Sequence, residues 1–160
     1  MKVIVAISES ALPIARTIQR EWLDAEVVRM SDKTFLTEHW KDLECVVFVG
    51  AMGICVRTIA PLLDDKYTDP AVVCVDSAGK YVIPVVSGHI GGANLLAKEI
   101  AAVVGGEAVI TTQSDNAGMW ALDTLGAKFG WETYTNTPGL NGPIATYVNG
   151  GRVALVLDVR

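Results

Sequence analysis

Tyr81-Val82-Ile83-Pro84-Val85-Val86 runs straight into Ser87-Gly88-His89-Ile90-Gly91-Gly92-Ala93-Asn94, and residues 95–104 continue with helical spacing. The first segment reads as a strand and the last as a helix with one apolar face. Between them, three glycines in five positions let the backbone turn tightly and approach a ligand closely. A helix that starts here offers unpaired N–H groups and the positive end of its dipole. Ser87, His89 and Asn94 add a hydroxyl, an imidazole and a carboxamide, and a purely structural turn does not need all three. The stretch is not a P-loop, because no Lys-Ser/Thr follows the glycines, and its G-x-x-G-G spacing is not the G-x-G-x-x-G fingerprint. On spacing alone it is either a ligand-binding turn or a tight connection with His89 incidentally exposed.

Outward from this turn the same alternation recurs. Strands are expected over 2–7, 26–29, 45–49, 71–76, 81–86 and 108–112, and helices over 10–23, 52–63, 92–104 and 120–129. Residues 31–41 form a weaker helix or loop. The run Cys45–Val49 is apolar throughout, as in a strand covered on both faces. Pro61 should interrupt its helix. Ser77-Ala78-Gly79-Lys80 is a tight turn, which either closes a hairpin with 81–86 or leads into extended chain. Asp76 is expected to start that turn. The alternation predicts an α/β domain over 1–130: an open, mostly parallel sheet with helices on both faces, three-layered and Rossmann-like or flavodoxin-like. Residues 131–160 read as a linker-like segment, turn-rich over 136–143, and the start of a further region. A strand candidate over 151–160 ends them, as though the chain continued.

At 160 residues, 51% hydrophobic and 19% charged, the chain can bury one sizeable core and is not disordered. No apolar run is long enough to span a bilayer, and the N-terminus lacks a signal-peptide pattern, so the expected location is cytoplasmic. A net charge of −5 argues against nucleic acid as a partner. Cys45, Cys55 and Cys74 form no C-x-x-C pair and are expected to be reduced and packed. His39 and His89 lack partners at ligand spacing, so no protein-bound metal is expected. Trp120 and Trp131 are expected to pack the core.

Two further turns hold candidate site residues. Gly50-Ala51-Met52-Gly53 joins a buried strand to a helix, with Arg57 expected near the first turn of that helix. A cation there opposes the helix dipole, so Arg57 either meets a local anion or is simply solvated. Ligands of open parallel sheets bind beyond the carboxyl ends of the strands, so the turns at 50–57 and 87–94 are expected to face one shared crevice. Thr111-Thr112-Gln113-Ser114-Asp115-Asn116 offers short polar heads that either cap the next helix or touch a ligand.

Taken in order, these blocks resemble a known family. Gly53-Ile54, Val56-Arg57, Ile59-Ala60-Pro61-Leu62-Leu63 and Lys66 come first, followed by Asp69-Pro70-Ala71-Val72-Val73, Asp76, Gly79 and Ile83-Pro84. Ser87-Gly88-His89, Gly91-Gly92-Ala93-Asn94 and Ile110-Thr111-Thr112, Ser114-Asp115 complete the set. The blocks resemble the CbiG family, the cobalt-precorrin-5A hydrolases of anaerobic cobalamin biosynthesis, most densely over 50–115. The resemblance implies opening of a δ-lactone on a cobalt-corrinoid macrocycle and release of a two-carbon unit as acetaldehyde. Family members continue into a separate C-terminal domain that is not evident here. Two readings therefore stand, an enzyme or a corrinoid-binding module that needs another domain.

On the enzyme reading, His89 is the base that activates water or an axial ligand to the substrate's cobalt. Ser87 and the amides of Gly91 and Gly92 are candidate oxyanion donors. Asp115 either orients His89 or serves as the acid–base group when acetaldehyde leaves. Gly53, Arg57, Gly88, Gly91, Gly92, Asn94, Thr112 and Ser114, helped by Lys66, are the expected substrate contacts. Cobalt arrives with the substrate, and no protein-bound cofactor is expected. The implied partners are the corrinoid and other cobalamin-pathway enzymes. A nucleotide- or phosphate-binding α/β protein is a third reading, resting on the glycine turns alone.

Overall fold

The computed structural model describes residues 1–31, 34–134, 139–156 and 158. The chain divides into two compact units, Met1–Ile110 and Thr111–Arg160. The first unit holds strands β1 (Lys2–Ala6), β2 (Ala25–Arg29), β3 (Cys45–Val49), β4 (Ala71–Val75), β5 (Tyr81–Val86) and β6 (Glu107–Ala108). They form one sheet in the order β2-β1-β3-β4-β5-β6. Strands β1 to β4 are mutually parallel, β5 runs antiparallel to β4, and β6 is parallel to β5. The fold is α/β with a mostly parallel sheet.

Strand side chains alternate between two apolar layers, which explains the unbroken apolar runs. Ile4, Val47, Val49, Val73 and Val75 pack with Ala15 and Ile18 of α1 (Leu12–Glu21) and with Ala97 and Ile100 of α4 (Ala93–Val104). On the other face Val3, Val5, Val46, Phe48 and Val72 pack with Leu36 of α2 (Phe35–His39) and with Cys55 and Ile59 of α3 (Met52–Ile59). Helices thus cover both faces. Pro13 sits in the first turn of α1, where its missing N–H has no partner to lose. Pro61 ends α3 at Ile59, and the chain continues only as a single tight turn, Ala60–Leu62. Gly105, at φ 70°, closes α4.

The direction of β5 is set locally. The Asp76 carboxylate accepts the amides of Ala78 at 2.8 Å and Tyr81 at 2.5 Å, and Gly79 takes a left-handed φ of 71°. That turn reverses the chain, so the hairpin alternative is the one realised. Val72 pairs with Val86 and Val73 with Pro84, leaving an extra β5 residue at a bulge beside the proline, which has no amide to give.

The three thiols are buried, with 4%, 0% and 2% of Cys45, Cys55 and Cys74 exposed. Burial pushes the Cys45 thiol from its ordinary 9.0 up to about 11, and the hydrogen bond with Cys74, aided by burial, raises Cys55. A thiol with a raised folded-state pKa gives its full stability below the unfolded value and loses it as pH rises through the folded one. Stability should therefore fall between about pH 9 and about pH 11. At pH 8 the native protein should resist Ellman's reagent, and denatured protein should show all three thiols. A rapidly reacting thiol in the native protein would contradict this packing.

The second unit holds short helices, α5 (Gln113–Asn116), α6 (Leu125–Phe129) and α7 (Asn141–Val148). It departs most from expectation. The strand expected over 108–112 stops at Ala108, and the helix expected over 120–129 shrinks to Leu125–Phe129. Helix α7 occupies part of the segment read as turn-rich, because Pro143 lies in its first turn, where a helix tolerates proline. Positions 135–138 of that segment lie outside the described residues. Residues 151–156 and 158 form no strand, and 157, 159 and 160 of that candidate also lie outside the described residues. Trp120 and Trp131 are not core residues: they are 62% and 46% exposed, and Trp131 stacks on Phe129 with ring centroids 4.6 Å apart.

Candidate functional site

The turn at 87–94 is closed by its own backbone. The amide of Ala93 donates to the Ser87 carbonyl at 3.1 Å, that of Asn94 to Gly88 at 3.0 Å, and that of Gly92 to His89 at 3.1 Å. The amides of Ala93 and Asn94, at the start of α4, are therefore satisfied within the turn. Of the two expected oxyanion amides, Gly92 is already committed, which leaves Gly91 for that role. A Cβ on Gly91 would stand 2.5 Å from Ser87 Cβ and 2.9 Å from its carbonyl oxygen, so only glycine permits this closure. Gly88 makes room for Asn94, whose Oδ1 lies 2.9 Å from the place a Gly88 Cβ would take. Asn94 itself is buried beneath the turn.

Ser87 carries the strain. Its φ of 56° is the one left-handed value at a non-glycine residue among those described. Such a conformation costs on the order of 1–3 kcal/mol and persists only where surrounding contacts fix it. Here the Ser87 hydroxyl donates to the Asp69 carbonyl at 3.0 Å. That bond takes its single proton, which a role as oxyanion donor would require. His89, two residues on, is half-buried, and Ile90 beside it is exposed.

In the sequence Asp69 stands out only within the block Asp69-Pro70-Ala71-Val72-Val73. In the structure its Oδ1 accepts Trp40 Nε1 at 3.1 Å, and both carboxylate oxygens accept the Asp64 amide, at 3.1 and 3.0 Å. Lys66 belongs to the loop that this carboxylate folds.

The shared crevice does not form. Because β5 runs antiparallel, its carboxyl end and the turn at 87–94 lie at the edge where β1 to β4 begin. Gly50 and Gly53 lie at the opposite edge, one strand length or roughly 15 Å away. There Gly50, at φ 151°, packs so closely on β1 that a Cβ would meet Ile7 Cδ1 at 2.6 Å. Gly53 is exposed at the start of α3. Arg57 occupies the last turn of that helix rather than the first, where its charge favours the dipole instead of opposing it. It is exposed, and it points no specific anion to itself by dipole conflict.

In the second unit Thr112 stands at the start of α5 with extended backbone, as a capping residue does. Its hydroxyl donates to Asp115 Oδ2 at 2.8 Å, and Ser114 is buried. A separate cavity of about 270 Å³ in the first unit opens at the carboxyl ends of β1 and β2, lined by Ala6, Ile7, Ser8, Glu9, Arg29, Met30 and Ser31. None of the expected site residues lines it. Among the described residues, no group of three or more His, Cys, Asp or Glu is placed to hold a metal, and no helix is long and apolar enough to cross a membrane.

Comparison with known proteins places these features in a family context. Residues 34–115 match the family model described as cobalamin synthesis G N-terminal, and residues 120–160 match the cobalamin biosynthesis central region. A cobalt-precorrin-5A hydrolase of Priestia megaterium is 34% identical over 173 residues, covering 97% of this chain and 46% of that protein. One of Salmonella typhimurium is 52% identical over 80 residues, covering 50% of this chain and 23% of that protein. The crystal structure of a cobalamin biosynthesis protein G homolog from Sulfolobus solfataricus superposes with a TM-score of 0.62 at 32% identity, covering 68% of this chain and 36% of that one. The chain thus spans less than half the length of these relatives.

Proposed function

Because the chain belongs to the CbiG family of cobalamin biosynthesis, we propose that it acts in the hydrolysis of cobalt-precorrin-5A, with the turn at 87–94 as its working site. The observation that carries this reading is the 34% identity to a named cobalt-precorrin-5A hydrolase across 97% of the chain. The geometry of the turn supports the assignment of roles. His89 stands on a glycine-containing loop that three backbone hydrogen bonds close.

In the proposed reaction His89 takes a proton from water, and the oxygen adds to the lactone carbonyl. The Gly91 amide donates to the resulting oxyanion. Collapse breaks the ring C–O bond and yields a carboxylate and a free alcohol on the two-carbon unit. After passing its proton to solvent, His89 takes the alcohol proton, and the adjacent C–C bond breaks. Acetaldehyde leaves, and the electron pair passes into the macrocycle, which takes up a proton. Lys66, in the loop folded by Asp69, attracts the substrate's carboxylates, and Gly88 gives close approach; Gly53 and Arg57, at the opposite edge of the sheet, take no part at this turn. Asn94 acts from beneath the turn. The cobalt belongs to the substrate.

The experiment is a continuous assay of the protein with cobalt-precorrin-5A, in which alcohol dehydrogenase and NADH trap acetaldehyde. One acetaldehyde per macrocycle consumed is the expected result. A second reading keeps the same turn as the site of a corrinoid-binding module. It predicts saturable quenching of tryptophan fluorescence by the corrinoid with no acetaldehyde. Absence of both binding and turnover would overturn the proposal.

A further inference from the structure

We propose that Asp69 is a positioning residue for His89, acting through Ser87 and fixed in turn by Trp40. The inference rests on the reading of His89 given above. Three observations meet at this residue. The Asp69 carbonyl accepts the hydroxyl of Ser87 at 3.0 Å, and Ser87 holds a left-handed backbone that L-residues seldom adopt. The Asp69 carboxylate is itself tied down by the Trp40 indole at 3.1 Å and by the Asp64 amide on both oxygens. The bulge in β5 at the Val72/Val73 step bends the strand just before Ser87.

These contacts join segments far apart in sequence. Trp40 follows α2 directly and is buried in the core layer of α2 and α3. Asp69 precedes β4, and Ser87 follows β5. A bend at the bulge and a left-handed residue leave the direction of the next two residues undetermined unless something outside the turn fixes Ser87. The hydrogen bond to Asp69 does so, and the indole and the Asp64 amide fix Asp69. A turn held only by its own three backbone bonds would keep its shape but not its aim. Asp69 touches neither substrate nor the reacting atoms in this account, and its effect reaches the chemistry only through the placement of His89.

The test uses the intact protein and a readout that does not depend on turnover. The chain has two histidines, His39 and His89, so ring-labelled histidine gives two NMR signals that a His39→Gln variant assigns. Asp69→Ala and Ser87→Ala should each move the His89 signal, and Ser87→Ala should leave the His39 signal in place. Asp69→Asn keeps the Oδ1 acceptor that serves both donors and should restore the wild-type position. Trp40→Phe removes the indole donor together with part of a buried ring and should give a smaller shift in the same direction; it serves as a second variant should Asp69→Ala fail to fold. With cobalt-precorrin-5A, Asp69→Ala should lower kcat on the order of 10–100-fold, as for a misplaced catalytic group, with KM within about threefold. Asp69→Asn should lie within about threefold of wild type.

A folded Asp69→Ala or Trp40→Phe protein whose His89 signal does not move overturns the positioning role. A shifted His89 signal with kcat unchanged upholds the positioning and instead overturns the catalytic reading of His89. A KM effect with kcat preserved would place Asp69 in substrate binding and overturn the proposal.

Discussion

His89→Ala is expected to lower the rate of acetaldehyde release by roughly 10²–10⁴-fold, the range for a lost general base. At 1.36 kcal/mol per tenfold, that corresponds to about 3–5 kcal/mol of transition-state stabilisation. The expectation follows from position as well as residue type. His89 is the imidazole on the glycine-closed turn, and the neighbouring polar groups have structural work. The Ser87 proton goes to Asp69, the Gly92 amide to the His89 carbonyl, and Asn94 is buried. The same variant separates the two roles that residue type alone leaves open. If His89 activates water, kcat falls while the affinity for the corrinoid, read by tryptophan quenching, changes little. If it ligates cobalt, affinity falls and the visible spectrum of the bound corrinoid loses its shift. His39 is a fair control, since its ring lies 4.8 Å from that of Phe35, tilted by 51°, in the first unit's other layer. His39→Ala should leave the rate within about twofold of wild type, as surface or peripheral changes do. Full activity in His89→Ala would remove the turn from the mechanism.

How much of this was legible in the sequence differs by element, and the reasons are physical. Cys45–Val49 and Tyr81–Val86 read to the residue. The first is buried on both faces and the second is bounded by turn chemistry. Helix α4 was legible because its apolar period is long and a glycine pair ends it. The edge at which the candidate site lies was not legible. It depends on whether the turn at 77–80 reverses the chain, and that rests on one carboxylate, Asp76, capturing two amides. Alternating strand and helix patterns look the same whether a strand joins the sheet parallel or antiparallel. The position of Arg57 failed for a related reason, since α3 is only eight residues long and its last turn begins almost where its first ends.

The role of Asp69 left no periodic trace. Its partners Ser87 and Trp40 stand 18 and 29 residues away in sequence, and contacts at that range follow from the fold and not from local spacing. In the second unit, helices of four, five and eight residues are too short to show a hydrophobic period. Pro143 there resembles a turn signal and is in fact a helix start.

Gly106→Ala should be among the most destabilising single substitutions in the first unit, by about 2–4 kcal/mol, because no soft atom is available to yield. A Cβ on Gly106 would overlap the Gly79 carbonyl oxygen and lie 3.0 Å from the Lys80 carbonyl oxygen. Both are backbone atoms of the turn that reverses the chain into β5. Relief therefore requires moving the hairpin away from α4 and β6. That movement strains the bond from the Glu107 amide to Lys80 at 2.8 Å and the one from Val109 to Val82 at 2.8 Å, which hold the short β6 in place. Neighbouring glycines separate this steric effect from backbone preference. Gly105 is left-handed at φ 70° with nothing within 4 Å of its missing Cβ, so Gly105→Ala should cost only the conformational term, about 1–2 kcal/mol. Gly53 lies in α3 with an ordinary φ and open space, so Gly53→Ala should stabilise by about 0.5–1 kcal/mol. Urea denaturation of the three variants should give the order Gly106→Ala, Gly105→Ala, wild type, Gly53→Ala, from least to most stable. With total stabilities of about 5–15 kcal/mol in proteins of this kind, the first loss would be a large fraction of the whole. Equal effects at Gly105 and Gly106 would mean that the hairpin gives way freely. The antiparallel turn could not then be what fixes the edge at which His89 stands.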